Sequence, residues 1–206
     1  MNKLVMAFCL TILLSVGVFS QTSDDEYNKN EFYVGYSNQQ VSNNSRPALN
    51  GFEVSYVRNV SRYFGIKGDF SAAVRKQEST IGVDAGGTIT QVNFRTNNQL
   101  YNFLGGVQVK DNATKSRFKP FAHALVGVAY SKSSTTSDNC PPSATTCNVN
   151  IVQFREPGFA GAFGGGLDIK INDRIDFRAI QVDYNPVYSR SSVDNNFRFG
   201  IGLVFK

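Results

Sequence analysis

The ten residues Asn196 to Phe205 constrain this chain more than any other stretch. Phe197, Phe199, Ile201, Leu203 and Phe205 alternate with Asn196, Arg198, Gly200 and Gly202. In an extended strand successive side chains point to opposite faces, so one face here is greasy and the other polar or small. The period recurs upstream, where Phe64, Ile66, Phe70, Ala72 and Val74 oppose Tyr63, Lys67, Asp69, Ser71 and Ala73. From Phe159 to Ile171 large residues again fall on one side, with Gly164, Gly166, Asp168 and Lys170 on the other. Shorter runs begin at Phe32, Phe52, Tyr101 and Phe118. No long segment carries an apolar stripe of helical period, and the chain reads as nearly all β.

Residues 175–185 break the rule once. Ile175 and Phe177 are in one phase, Ile180, Val182 and Tyr184 in the other, and one extra residue, a β-bulge near Ala179, would repair the change. Asp176, Arg178, Gln181 and Asp183 would then share the polar side. Eight strands result, and their connections alternate in length. Residues 59–62, 111–116 and 172–174 make short links; residues 39–50, 76–98, 132–157 and 186–195 make long, polar ones. Short turns at one end and long loops at the other are expected of a transmembrane β-barrel whose short turns lie in the periplasm.

Alternation also suits a soluble barrel or sandwich with its apolar face inward. Eight strands, however, leave an interior only wide enough for side chains. The Phe and Ile residues would overfill it, while Glu53, Lys67, Asp69, Asp168, Lys170, Arg178, Asp183 and Arg198 would be left outside. Turned inside out, these charges meet as a lumen network and the glycines relieve crowding; opposite charges buried together can pair, whereas an unpaired one costs several kcal/mol. A closed barrel also satisfies every backbone amide within a bilayer, which an open sheet does not. Tyr56, Phe64, Phe118, Tyr130, Phe159, Tyr184 and Phe197 fall at strand ends, where they would form interfacial girdles. The expected fold is an eight-stranded antiparallel up-and-down transmembrane β-barrel.

The N-terminus points to the same compartment. Lys3 precedes an uncharged apolar run from Leu4 to Phe19, with Val18 and Ser20 placed as the small residues of a cleavage site. The run is shorter than the roughly 20 residues that span a bilayer. Residues 1–20 are therefore expected to be a signal peptide, and 21–206 the barrel domain. Losing Lys3 would lower the formal net charge from +5 to +4, spread singly along the chain, which makes no nucleic-acid patch. Cys140 and Cys147 remain; an even pair in an exported chain is expected to form a disulfide. So short a loop contributes about 2–3 kcal/mol in the chain-entropy model, enough to stiffen a surface loop.

The chain resembles the small OmpA-like and OmpX-like outer-membrane β-barrel domains. The resemblance rests on the signal peptide, the alternating connections, the run Gly164, Gly165, Gly166 and the closing strand. It implies a bacterial outer-membrane location, lipid contact, and an assembly signal of Phe197, Phe199, Ile201, Leu203 and Phe205 read by the barrel-assembly machinery; Lys206 follows the terminal aromatic. It also implies that the peptidoglycan-binding module of some relatives is not attached. No cofactor is expected. A lipid-modifying enzyme would need a nucleophile and base, but the only histidine, His123, is followed by Ala124 and Leu125 and lacks the local His-x-Ser pattern. The glycine run lacks the Gly-Lys-Ser/Thr of a phosphate loop. A non-enzymatic structural or surface-interaction role is expected, with a lumen sealed by side chains; a narrow channel and a lipid-modifying outer-membrane enzyme are the alternatives. The long loops, 132–157 first among them, could bind an extracellular ligand or be plain solvated surface.

Overall fold

Eight strands pair antiparallel in chain order around a closed wall, the last returns to the first, and a ninth short strand adds to one of them outside that ring. The computed structural model describes residues 27–41, 48–84, 89–138, 150–154, 157–189 and 192–206. Its strands are β1 (Asn30–Val41), β2 (Leu49–Asn59), β3 (Phe64–Asp84), β4 (Ile89–Lys110), β5 (Phe118–Asp138), β6 (Asn150–Phe154), β7 (Gly158–Lys170), β8 (Ile175–Ser189) and β9 (Ser192–Phe205). The β1–β9 seam, from Phe32 opposite Phe205 to Val41 opposite Asn196, closes the barrel. Eight strands form the wall; β6 pairs only with β5, beyond the stretch of β5 that β7 covers. Pro157, which has no N–H to give a ladder, stands between β6 and β7. The expected signal peptide, Cys140 and Cys147 lie outside the described residues.

The alternation is inside out, as the volume argument requires. Phe64 and Phe159 are 54% and 56% exposed, while Glu53 and Arg198 on the opposite face are fully buried. A belt of aromatic contacts runs round the outside, from Phe52 to Phe70, Phe103 and Tyr130, with ring centroids 4.8–6.2 Å apart. The bulge falls where the phase change placed it. Leu167 faces Ile180 but Asp168 faces Arg178, and on the other side Arg178 faces Gly202 but Gln181 faces Gly200. Ala179 is the extra residue, and Asp176, Arg178, Gln181 and Asp183 all stay buried inside.

The long connections need correction. Residues 76–98 and much of 132–157, expected as loops, continue as strand: β3 and β4 stay paired as far as Asp84 opposite Ile89, and β5 runs to Asp138. The apolar signal ends earlier, because the outer face changes medium. On β4 the outward residues are Val109, Val107, Phe103 and Tyr101, then Gln99, Asn97, Arg95 and Asn93. The 21 residues of β3, at about 3.3 Å each, reach roughly 70 Å. A strand tilted by about 40° needs only about 33 Å to cross an apolar band of about 25 Å. Close to half of β3 therefore stands outside the membrane as part of a sheet, β3–β4–β5–β6. Beyond Val74, the partner of Asn50, β3 pairs on one side only among the described residues.

Because Ala179 and Ile180 together oppose one residue of each neighbour, deleting Ala179 keeps every other pair and every facing. The ΔAla179 protein is expected to fold and to show the mobility difference between unboiled and boiled samples on a gel. Deleting Val182 instead turns Asp183 and Asn185 toward lipid, and that difference should be lost.

Candidate functional site

Among the described residues, the chain concentrates its chemistry in the lumen. Its carboxylates Glu31, Glu53, Asp69, Asp168, Asp176 and Asp183 are matched, among the described residues, by Lys67, Lys110, Lys119, Arg178, Arg198 and Lys206. Two guanidinium groups organise them. Arg198 on β9 holds Asp183 on β8 at 2.7 and 2.9 Å and Asp69 on β3 at 2.8 Å, with Glu53 on β2 at 3.6 Å. Arg178 on β8 forks onto Asp168 on β7 at 2.8 and 3.2 Å. Planar guanidinium suits such multidentate grips better than ammonium does. Gln181 joins the two groups, accepting from Arg178 at 2.8 Å and donating to Glu53 at 2.9 Å and to Asp183 at 2.8 Å.

Aromatic rings and glycines make the room. The Arg178 guanidinium lies between Tyr33 and Phe121, 4.4 and 3.9 Å from the ring centroids. Tyr33 in turn lies over Gly35 and Gly202, where an added Cβ would come within 2.6 Å and 2.9 Å of its ring; at Gly166 it would meet Phe121 at 2.9 Å. The glycine-rich stretch of β7 is thus the floor on which a buried ring rests, not a phosphate cradle.

Lys67 ties in the histidine. It lies 3.8 Å from Glu53 and 3.7 Å from Asp69, and its ammonium donates to Nδ1 of His123 at 3.3 Å. On the other side of the ring, Nε2 of His123 lies 2.8 Å from Asp183 Oδ1. His123 is a link in the ionic layer, set between Lys67 and Asp183.

Of the eight charges singled out in the sequence, seven come together here. Lys170 does not: at the mouth, 35% exposed, it meets Asp173 of the adjoining turn at 2.5 Å, and this hydrogen bond holds the Asp173 carboxyl below its usual range. Water reaches the last residue of β7, so Lys170 needs no buried partner. Another turn has a similar tie, Arg62 bonding Asp111 at 3.0 and 3.2 Å and lowering its pKa. Missed in the sequence was a lower cluster in which Lys110 bonds Glu31 at 2.5 Å and Asp168 at 3.4 Å, and Lys119 and Lys206 meet at Asp176. Parity along β1 and β4 already put Glu31 and Lys110 on the polar face. Also missed was an apolar layer toward the long connections, where Leu49, Leu100, Leu104 and Leu125 pack with Ala73, Ala129, Ala160 and Ala162. The closing-strand residues Phe197, Phe199, Ile201, Leu203 and Phe205 all point outward, 36–45% exposed.

Removing Arg198 leaves Asp69, Asp183 and Glu53 without their main cation. Arg198→Ala is expected to cost about 3–5 kcal/mol, read as a lower urea midpoint for the folded barrel in detergent or lipid. Lys170→Ala, which breaks an exposed pair, should leave that midpoint nearly unchanged. Equal losses in the two variants would refute the distinction.

Comparison with known proteins gives the same architecture. A family model described as outer membrane protein beta-barrel domain matches residues 7–205. The crystal structure of Ail, the attachment invasion locus protein of Yersinia pestis, is similar with a TM-score of 0.53 and 14% identity, over 87% of this chain and 100% of that one. Its complex with the heparin analogue sucrose octasulfate gives 0.53 and 13%, over 85% and 97%. The N-terminal barrel domain of Pseudomonas aeruginosa OprF gives 0.40 and 10%, over 87% and 100%. The comparison with curated proteins finds no match.

Proposed function

Because the chain belongs to the outer membrane protein β-barrel domain family, and so resides in the bacterial outer membrane, we propose that it is a sealed barrel that anchors a recognition surface outside the cell. The observation that carries this reading is the sheet β3–β4–β5–β6, which rises past the apolar belt and, among the described residues, leaves the outer edge of β3 without a partner strand from Lys76 to Asp84. An open edge offers backbone donors and acceptors to an incoming extended segment, and its own side chains are polar enough to stand in water. Thr80 bonds Asn93 at 2.8 Å, and Arg95 bridges Glu78 and Asp138 at 3.1 Å each, so the protrusion is braced across its strands. The long connections and this sheet then face outward, the short turns face the periplasm, and the role is non-enzymatic. The shared fold with an attachment invasion locus protein supports a surface role of this kind.

Sealing follows from the two lumen layers, one ionic and one apolar. A channel would need a continuous polar path, and the Leu49, Leu100, Leu104 and Leu125 layer interrupts it. Two measurements test the reading. In planar bilayers the protein should give no discrete conductance steps; reproducible steps would favour the channel. Replacing residues 77–96 by a two-residue Asn-Gly turn should leave the unboiled gel mobility shift intact, yet lower adhesion of expressing cells to protein-coated surfaces to the level of cells without the barrel. Unchanged adhesion would overturn the role given to the sheet.

A further inference from the structure

The two ends of the barrel differ in how their charges are used. At the long-connection end Arg95 is held by two acids. At the short-turn end Lys29, Arg58, Lys115, Arg117 and Arg174 are all exposed, and none makes an ion pair among the described residues. The acids of the described turns are already taken, Asp111 by Arg62 and Asp173 by Lys170.

The position of these cations is what points to a partner. Each follows or precedes by a few residues the last outward apolar side chain of its strand: Lys29 before Phe32, Arg58 after Tyr56, Arg117 before Phe118, Arg174 before Ile175. Phe32, Tyr56 and Phe118 are 48–56% exposed on the membrane face, so the cations stand just past the edge of the hydrocarbon band. Arg58 shows the arrangement in detail. It lies on the outward face of β2, and both its Nη1 and the Tyr56 hydroxyl donate to Asn30 Oδ1, at 2.7 and 2.8 Å. A neutral amide positions the guanidinium without cancelling its charge, and the remaining N–H groups are left to the headgroup layer.

We propose that this rim is a binding ring for the phosphates of anionic phospholipid, which seats the barrel at a fixed depth. Lysine and arginine at headgroup height attract anionic lipid strongly, and guanidinium can fork onto a phosphate. That the leaflet is the periplasmic one rests on the orientation proposed above; the lipid preference itself does not.

Native mass spectrometry of the folded full chain, released from mixed micelles of phosphatidylglycerol and phosphatidylcholine, tests the ring. The wild type should retain phosphatidylglycerol over phosphatidylcholine by about tenfold or more, less at high salt. The variant Arg58→Gln/Lys115→Gln/Arg117→Gln/Arg174→Gln should lose that preference, while Lys76→Gln/Lys132→Gln at the other end should keep it. If the first variant does not fold, the charge-preserving Arg58→Lys/Arg117→Lys/Arg174→Lys should still retain a preference, and its loss there would refute a charge-driven ring. Equal retention of both lipids by the wild type overturns the proposal. So does a preference that emerges only when Asp24, Asp25 and Glu26 are neutralised, since the chain's own acids would then occupy the rim. Binding to peptidoglycan sacculi that disappears in the quadruple variant, with lipid preference unchanged, would assign the ring to the cell wall instead. An epitope inserted between Ala113 and Thr114 reports orientation separately, and should become accessible to antibody only in permeabilised cells.

Discussion

Closure of the backbone ladder between β1 and β9 governs the rest of the molecule. In hydrocarbon a free N–H or C=O costs several kcal/mol, so the first and last strands must find each other, and do so from Phe32–Phe205 to Val41–Asn196. Once the wall is closed, each side chain has only two destinations, lipid or lumen. An eight-stranded lumen is narrow, so inward positions must be filled closely or left as glycine. The placement of Tyr33 over Gly35 and Gly202, and of Phe121 over Gly166, is that constraint expressed residue by residue.

Charges inside so small a space hold one another in place. Arg198 connects β9 to β8, β3 and β2, and Arg178 connects β8 to β7 while resting between rings from β1 and β5. Such contacts join strands on opposite walls, which the ladder alone does not do. Ion pairs of this kind are poor as net sources of stability, since an apolar filling of equal shape can do as well. Their larger consequence is specificity: a strand slipped by one residue would carry its charges into lipid, so the network penalises every register but one. The bulge at Ala179 keeps Gln181 and Asp183 on the same side as Asp176 and Arg178, and so belongs to this device.

Much of this was legible because a bilayer makes the period-two code strict. Phe197 to Phe205 announced a lipid-facing strand, and the phase change after Phe177 located an extra residue that the pairing shows at Ala179. What was not legible lies where the code stops being enforced. Above Tyr101 and Tyr130 the outward face of β4 turns polar, the period-two apolar signal thins out, and β3, β4 and β5 look like loops. A weaker signal remained in the β-branched and hydroxyl residues Thr80, Thr90, Thr96, Thr135 and Thr136, which favour pleated backbone without advertising a buried face. The apolar layer around Leu104 and Leu125 was hidden for the opposite reason. Leucine on the face assigned to charge breaks the binary pattern, and only the structure shows that β2, β4 and β5 contribute such residues to one cluster.

That leucine layer separates two jobs that one polar lumen could not keep apart. Below it, the ionic cluster needs fixed partners. Above it, the protruding strands are braced by exposed pairs such as Arg95 with Glu78 and Asp138, which cost little to rearrange. A ligand that reshapes the sheet therefore has to disturb only surface contacts. The buried guanidinium network lies beyond an apolar barrier with its register locked by the closed wall. The tip can vary while the membrane span stays fixed, because the two are held by interactions of different strength and joined by an apolar layer.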